Sequence, residues 1–177
     1  MTARHGNPYY LLGFCYSVPM SVTFPSEAFF QALAAAMAGA HDRFRNLGFF
    51  DATIGIRVLL DDGAERLFVL GFEVFECMLA KEVPSFAPFH VDFVLEGSAL
   101  VWRGMFENVR HNGGADVAHS INTLTHFGEQ LTLRYDDPDG HDKLYRFAES
   151  VQQFFNLAAT LDAVTYEAGS RHAAPAA

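Results

Sequence analysis

The sequence predicts an α+β domain, an antiparallel-rich sheet of about five strands with helices packed on one face. Three observations support this. Apolar residues recur at three- and four-residue spacing in separate stretches, the mark of amphipathic helices. Between those stretches they alternate singly, the mark of half-buried strands. Two alternating runs flank Asp62-Gly63, a pair that tolerates the positive φ of a tight hairpin turn. The order is helix, hairpin, strand, helix, strand, helix, with no internal repeat or linker. The 177 residues fit one domain. The reading divides them into an N-terminal extension (1–24), a folded domain (25–165) and a flexible tail (166–177).

Tyr9 to Phe24 is apolar but aperiodic and reads equally as a strand or a covering loop. Pro25-Ser26-Glu27 is a helix start, with an acid in the first turn. Phe29, Phe30, Leu33, Met37, Ala40 and Phe44 form the apolar stripe of a helix of about 20 residues, closed by Asn46-Leu47-Gly48. Ile54, Ile56, Val58 and Leu60 then alternate with Thr53, Gly55, Arg57 and Leu59. Beyond the turn, Leu67 to Leu79 reads as one long strand, apolar on both faces for part of its length. Pro84 and Pro88 bracket a loop. Phe89, Val91, Phe93 and Leu95 make a third strand, and Gly97-Ser98 begins a helix carrying Val101, Trp102, Met105, Phe106 and Val109 on one side. Asn112-Gly113-Gly114 ends it. The polar passage from Ala115 to Gly128 has no readable period. Leu131, Leu133 and Tyr135 give a fourth strand, and Asp136-Asp137-Pro138 starts the last helix, with Leu144, Phe147, Val151, Phe154, Ala158 and Leu161 on its stripe.

Composition narrows the function. Half the residues are apolar and 19% are charged, which excludes intrinsic disorder. Lys plus Arg number 12 against 21 Asp plus Glu, a net charge of −9 with no cationic run, which argues against nucleic acid as a partner. Cys15 and Cys77 lack a CxxC pattern and read as buried free thiols of a cytoplasmic protein. The apolar stretch Tyr9–Val18 resembles a signal-peptide core behind Arg4, but it is rich in Tyr and has no cleavage pattern directly after it. It also falls short of a membrane span.

Chemical motifs are sparse. Among the eight histidines, His111, His119 and His126 with Asp116 lack the HExxH spacing that fixes two imidazoles on one face, so no metal is expected. The acids Asp136, Asp137, Asp139 and Asp142 depart from a calcium loop, which would need glycine at Asp142 and glutamate at Ala148. Their pattern suits an N-cap and an acidic first turn. No nucleophile elbow and no phosphate cradle is present, so no cofactor is expected. Glu73, Asp92 and Glu96 are acids within apolar strands; strand parity points them to solvent, and an acid in an apolar cavity would suit proton transfer.

The aromatic count is the strongest compositional signal: 18 Phe, 6 Tyr and one Trp. Phe29, Phe30, Phe68, Phe72, Phe75, Phe89, Phe93, Trp102, Phe106, Phe147, Phe154 and Phe155 come from every element. They predict either an aromatic core or the lining of an apolar cavity.

The element order and the C-terminal half resemble the sterol carrier protein type-two family of lipid-transfer domains, over roughly residues 26–160. The likeness rests on the long first helix, the hairpin Ala52–Leu79, and the strand His90–Glu96 running through Gly97 into the helix Ser98–His111. It continues through Gly128-Glu129-Gln130-Leu131-Thr132-Leu133 into the last amphipathic helix. The resemblance implies an apolar tunnel for sterols, fatty acids or acyl chains, with Phe93, Trp102, Met105, Phe106, Leu133, Phe147, Val151 and Phe154 as its lining. The Tyr9–Phe24 segment, the His- and Asn-rich passage Ala115–His126 and the terminal Ala-Pro-Ala-Ala depart from the family pattern. The functional expectation is noncovalent binding, with transfer or presentation of a sterol, fatty acyl or isoprenoid lipid, in a chain that is not an enzyme. An enzyme of lipid metabolism and a second copy of the chain are the expected protein partners. Two alternatives stand beside it: an interaction or dimerisation domain using an aromatic face, and a small enzyme with Asp92 or Glu73 as its base.

Overall fold

The computed structural model describes residues 21–127 and 130–167. Most of the Tyr9–Phe24 segment, Gly128-Glu129 of the expected fourth-strand motif and most of the expected tail lie outside them. The elements are β1 (Val22–Phe24), α1 (Glu27–Gly39), α2 (His41–Arg45), β2 (Ala52–Leu59), β3 (Glu65–Glu73), β4 (Glu76–Val83), β5 (Phe93–Ser98), α3 (Ala99–Asn112), β6 (Leu131–Arg134), α4 (Pro138–Asn156) and β7 (Val164–Tyr166). The main sheet has five strands in the order β4-β3-β2-β5-β6. Three of its pairings are antiparallel and β2 with β5 is parallel, so the α+β, antiparallel-rich architecture stands with one mixed pairing.

Alternation along the strands sorts the side chains. Ala52, Ile54, Ile56 and Val58 of β2, Phe68, Leu70 and Phe72 of β3, and Phe93 and Leu95 of β5 are buried in one cluster with residues of α1, α3 and α4. The opposite face has a smaller cover. The chain between β4 and β5 places Phe86 and Phe89 against Leu67, Val69, Val83 and Leu79. Gly55 makes this possible: a Cβ there would stand 2.8 Å from Val94 Cγ2 and 3.0 Å from the Phe86 ring. The third strand is therefore shorter than its alternation suggests, because Phe89 belongs to the covering loop and β5 begins at Phe93.

Caps fix the helix starts. The Ser26 hydroxyl accepts from Phe29 N–H, Ser98 from Val101 N–H, and the Asp137 carboxylate from Asp139 N–H. Gly113 ends α3 at φ 78°. The first helix is broken where the sequence predicts continuity: Ala40 leaves helical geometry after Gly39, and α2 restarts the stripe to bury Phe44. Glu27 and Gln31 of α1 cover the outer edge of β4, where Glu27 accepts from Glu82 N–H and Gln31 donates to the Ala80 carbonyl. An edge strand is thereby kept from pairing with another chain.

The long strand expected over Leu67–Leu79 is a hairpin. It turns at Val74-Phe75, where Val74 sits at φ 61° in the left-handed region that a β-branched residue avoids. The turn is held from outside, with Val74 N–H donating to Asp51 Oδ1 and Phe50 N–H donating to the Val74 carbonyl. It presents Val74 (44% exposed) near Phe49 (69% exposed), whose ring stacks on Phe75 at 5.3 Å.

β1 and β7 form a separate parallel pair, Val22 to Phe24 beside Val164 to Tyr166. Arg66 locks this corner to the main sheet: it bonds Glu82 through two nitrogens, Glu167 at 2.6 Å, and the Pro25 carbonyl. The passage after α3 also has a structure that its sequence hides. It forms a 3₁₀ turn (Val117–His119) and a π turn (Thr123–Phe127) along one side of α4. Ala115 N–H donates to Asn156 Oδ1, Ile121 N–H donates to Gln152 Oε1, and Tyr145 bonds His126.

Two substitutions test these constraints. Val74→Gly removes the strained β-branched residue and is expected to raise the unfolding free energy by about 1 kcal/mol. Gly140→Ala, whose Cβ would overlap the Asp92 carbonyl oxygen where α4 crosses the start of β5, is expected to lower it by about 1–3 kcal/mol. Urea denaturation of both variants measures the two changes.

Candidate functional site

The strands and helices that pack on one face of the sheet gather the sequence-predicted lining into a single apolar cluster. Phe93 enters from β5 opposite Ile54, and Leu133 from β6 opposite Leu95. Trp102, Met105 and Phe106 descend from α3, and Phe147, Val151 and Phe154 from α4. Six of the set are fully buried, while Leu133 and Phe147 are half-buried at the margin. Around Phe106 the rings are in mutual contact: Phe29 at 4.8 Å, Phe24 at 5.0 Å, Phe155 at 5.7 Å and Trp102 at 6.2 Å. A second chain of rings runs from Phe147 through Phe50 (5.1 Å) and Phe72 (4.5 Å) to Phe154 (5.0 Å). These spacings are those of packed aromatic pairs. The rings therefore fill one another's space in this structure.

Two clefts of about 180 and 390 Å³ open on the surface, and neither is bordered by any residue of that set. The smaller lies between Tyr166, Leu60, Leu100 and Arg103, with Asp61, Asp62 and Glu167 on its rim. The Arg103 guanidinium lies 5.2 Å over the Tyr166 ring, and burial pushes the Tyr166 phenol up to about 12.

α4 is held at its margins by side chains. Lys143 Nζ stands 2.6 Å from Asp92 Oδ1, and the other Asp92 oxygen accepts from Thr53 N–H at 2.8 Å. On its other side are the bonds to Ala115, Ile121 and His126. No backbone ladder joins α4 to the sheet among the described residues, since a helix satisfies its own peptide groups.

The acids considered as bases are engaged or exposed. Asp92 is bound as just described, and Glu73 is exposed at the end of β3. Glu96 lies on the far face of the sheet, where Arg134 bonds both of its oxygens and Arg57 bonds one. The Arg134 hydrogen bonds hold its carboxyl below the usual glutamate range against the opposing effect of burial, with Arg57 adding to the depression. Burial pushes the Cys77 thiol up to about 12, which keeps it protonated and unreactive at neutral pH.

Sequence reasoning gave no weight to Phe24 and Phe50 as site neighbours. Phe24 closes an aperiodic segment and Phe50 follows a helix end, so neither belongs to a periodic stripe. Each is nevertheless fully buried among the rings of that set. Two polar atoms at the cluster stand out: the Trp102 indole Nε1 within it and the Tyr166 hydroxyl against it are buried and have no hydrogen-bond partner among the described residues.

Searches with the whole sequence find no matching family model and no matching curated protein. Solved structures do match in three dimensions. A crystal structure of sterol carrier protein 2 superposes with a TM-score of 0.58 at 18% identity, covering 77% of this chain and 97% of that one. The chain has the sterol carrier protein 2 fold. A conserved Thermus thermophilus protein, whose description suggests a sterol carrier protein, matches with the same TM-score at 17% identity. That alignment covers 81% of this chain and 92% of the other. The sterol carrier fold accounts for the mixed sheet and for helices on one face. No helix among the described residues is long and apolar enough to cross a membrane.

The Glu96 geometry makes an acid-range prediction. Its folded value lies below its unfolded value, so the unfolded chain binds the extra proton first. The contribution is complete above the unfolded value and is lost as pH falls through the folded one. Stability measured by urea midpoint should fall below about pH 5, and Glu96→Gln should flatten that part of the profile while lowering stability at neutral pH.

Proposed function

We propose that this chain binds an apolar small molecule noncovalently between α4 and the sheet, and transfers it or presents it to an enzyme of lipid metabolism. Sterols, fatty acyl chains and isoprenoids are the ligand classes that an aromatic interior accommodates. The observation that carries the reading is the attachment of α4. Leu144, Phe147, Val151, Phe154 and Phe155 place an unbroken apolar face on the core, while side-chain contacts at its margins hold the helix down. Such a helix can lift without breaking a strand ladder. The sterol carrier fold supports the same reading.

The filled interior is the expected ligand-free state. Parting α4 from the sheet uncovers large side chains at about 2 kcal/mol each, so the protein closes on itself. A ligand that covers the same area recovers that energy at about 25 cal/mol per Å². Binding therefore trades ring–ring contact for ring–ligand contact.

Organic extracts of the purified protein, examined by mass spectrometry, should contain a stoichiometric lipid. The delipidated protein should bind fluorescent sterol or fatty acyl probes at micromolar concentration or tighter. Lys143→Ala loosens α4 from Asp92 and should speed probe release roughly threefold or more, since a lost charged hydrogen bond is worth about 1 kcal/mol or more. A folded protein with clean extracts and no affinity for either probe would refute the proposal. A second reading, a homodimer formed through Phe49, draws on the exposure of that ring, which stacks on the half-buried Phe75. It requires a concentration-dependent sedimentation profile that Phe49→Ser abolishes.

A further inference from the structure

Trp102 is fully buried on α3, its ring packed on Phe106 and edge-on to Phe155. Indole N–H is a donor only, and a buried one normally finds an acceptor. Here it has none. The nitrogen lies beside the bare backbone of Gly97: a Cβ there would lie 3.3 Å from Nε1 and 3.4 Å from the Gln130 carbonyl oxygen and would overlap Leu131 Cδ2, so a leucine methyl of β6 and a backbone carbonyl share the donor's neighbourhood. The aromatic rings packed around the indole are uncharged. The nearest cation in sequence, Arg103, is turned away onto Tyr166 and Glu107.

We infer that Trp102 Nε1–H is the polar contact for the bound lipid, and that it selects a ligand with a neutral oxygen acceptor (a hydroxyl or a carbonyl) over a carboxylate. This rests on the lipid-binding reading above. A single donor satisfies a neutral oxygen. An anion placed there would need a cation as well, because burying an unpaired carboxylate costs far more than one hydrogen bond returns. A hydrocarbon binds the same interior but leaves the donor unpaired. Trp102 therefore acts as a specificity residue, with Leu131 shifting aside to admit the oxygen.

The test compares 1-dodecanol, dodecane and dodecanoate on the delipidated protein and on Trp102→Phe. The substitution should weaken dodecanol binding roughly 5- to 30-fold more than it weakens dodecane binding, the range of one buried hydrogen bond. At pH 8 the wild-type protein should bind dodecanoate at least about tenfold more weakly than dodecanol. Trp102 is the only Trp in the chain, so the unsubstituted protein offers a second readout that needs no variant. Its one indole N–H resonance should move downfield with dodecanol and stay in place with dodecane. Equal losses for both probes in the variant, or an indole resonance indifferent to dodecanol in a saturated complex, would overturn the assignment while leaving lipid binding intact. Equal affinity for dodecanoate and dodecanol would overturn the preference for a neutral oxygen. Binding of none of the three would remove the lipid reading itself, and this inference with it.

Discussion

Phe106 is where the structure converges. Its ring touches Phe24 from β1, Phe29 from α1, Trp102 from its own helix and Phe155 from α4. Five strands expose a broad apolar face, and no single helix can cover it. α1, α3 and α4 must therefore meet over the sheet, and Phe106 lies at their junction. Rings suit that position because edge-on and tilted pairs add about 0.5–1.5 kcal/mol each beyond the area they bury. The small β1–β7 pair follows from the same need. Its two strands bring Phe24 and Tyr166 against α3, and Arg66 ties the corner to the edge of the main sheet.

The same arrangement divides the molecule into parts held by different kinds of interaction. The main sheet is a continuous ladder, and the loop carrying Phe86 and Phe89 shields its far face. α4 has no share in that ladder. Its apolar face binds strongly but without direction, and its polar margins fix its position. Elements that move in ligand binding are drawn from such weakly laddered parts of a fold. Under the proposed lipid binding, the Lys143–Asp92 pair and the bonds to the 115–127 passage would set how readily the interior opens.

What the sequence shows and what it hides follow from the range of each interaction. The starts of α1, α3 and α4 are legible because Ser26, Ser98 and Asp137 cap within three residues of themselves. The Asp62-Gly63 turn is legible for the same reason, with Gly63 at φ 85°. The Val74-Phe75 turn is not, since its positive φ is imposed by Asp51 and Phe50 from another segment. β1 and β7 are three residues each, and neither has a pattern until its distant partner is known. The passage after α3 looks aperiodic because its backbone partners are Gln152 and Asn156 on α4. That Phe93, Trp102, Met105, Phe106, Leu133, Phe147, Val151 and Phe154 share one apolar cluster is legible, since amphipathic stripes point to one interior. That its rings pack on each other is not, because a stripe fixes which side a residue faces and leaves the distance across the core undetermined.

The unpaired indole and the strained Val74 then share a logic. Each costs about 1–3 kcal/mol in this structure, and a chain selected for stability alone would place Phe at 102 in the core and Gly at 74 in the exposed turn. Trp102 lies in the apolar interior beneath α4, and Val74 lies at a turn near the exposed Phe49. A donor left unpaired when the interior is closed destabilises that state relative to the one in which an oxygen fills the place. The free energy of binding then includes the relief of that cost as well as the burial of the ligand. If the interior takes a lipid as proposed, Trp102 would raise the preference for an oxygenated one partly by keeping the empty state less stable.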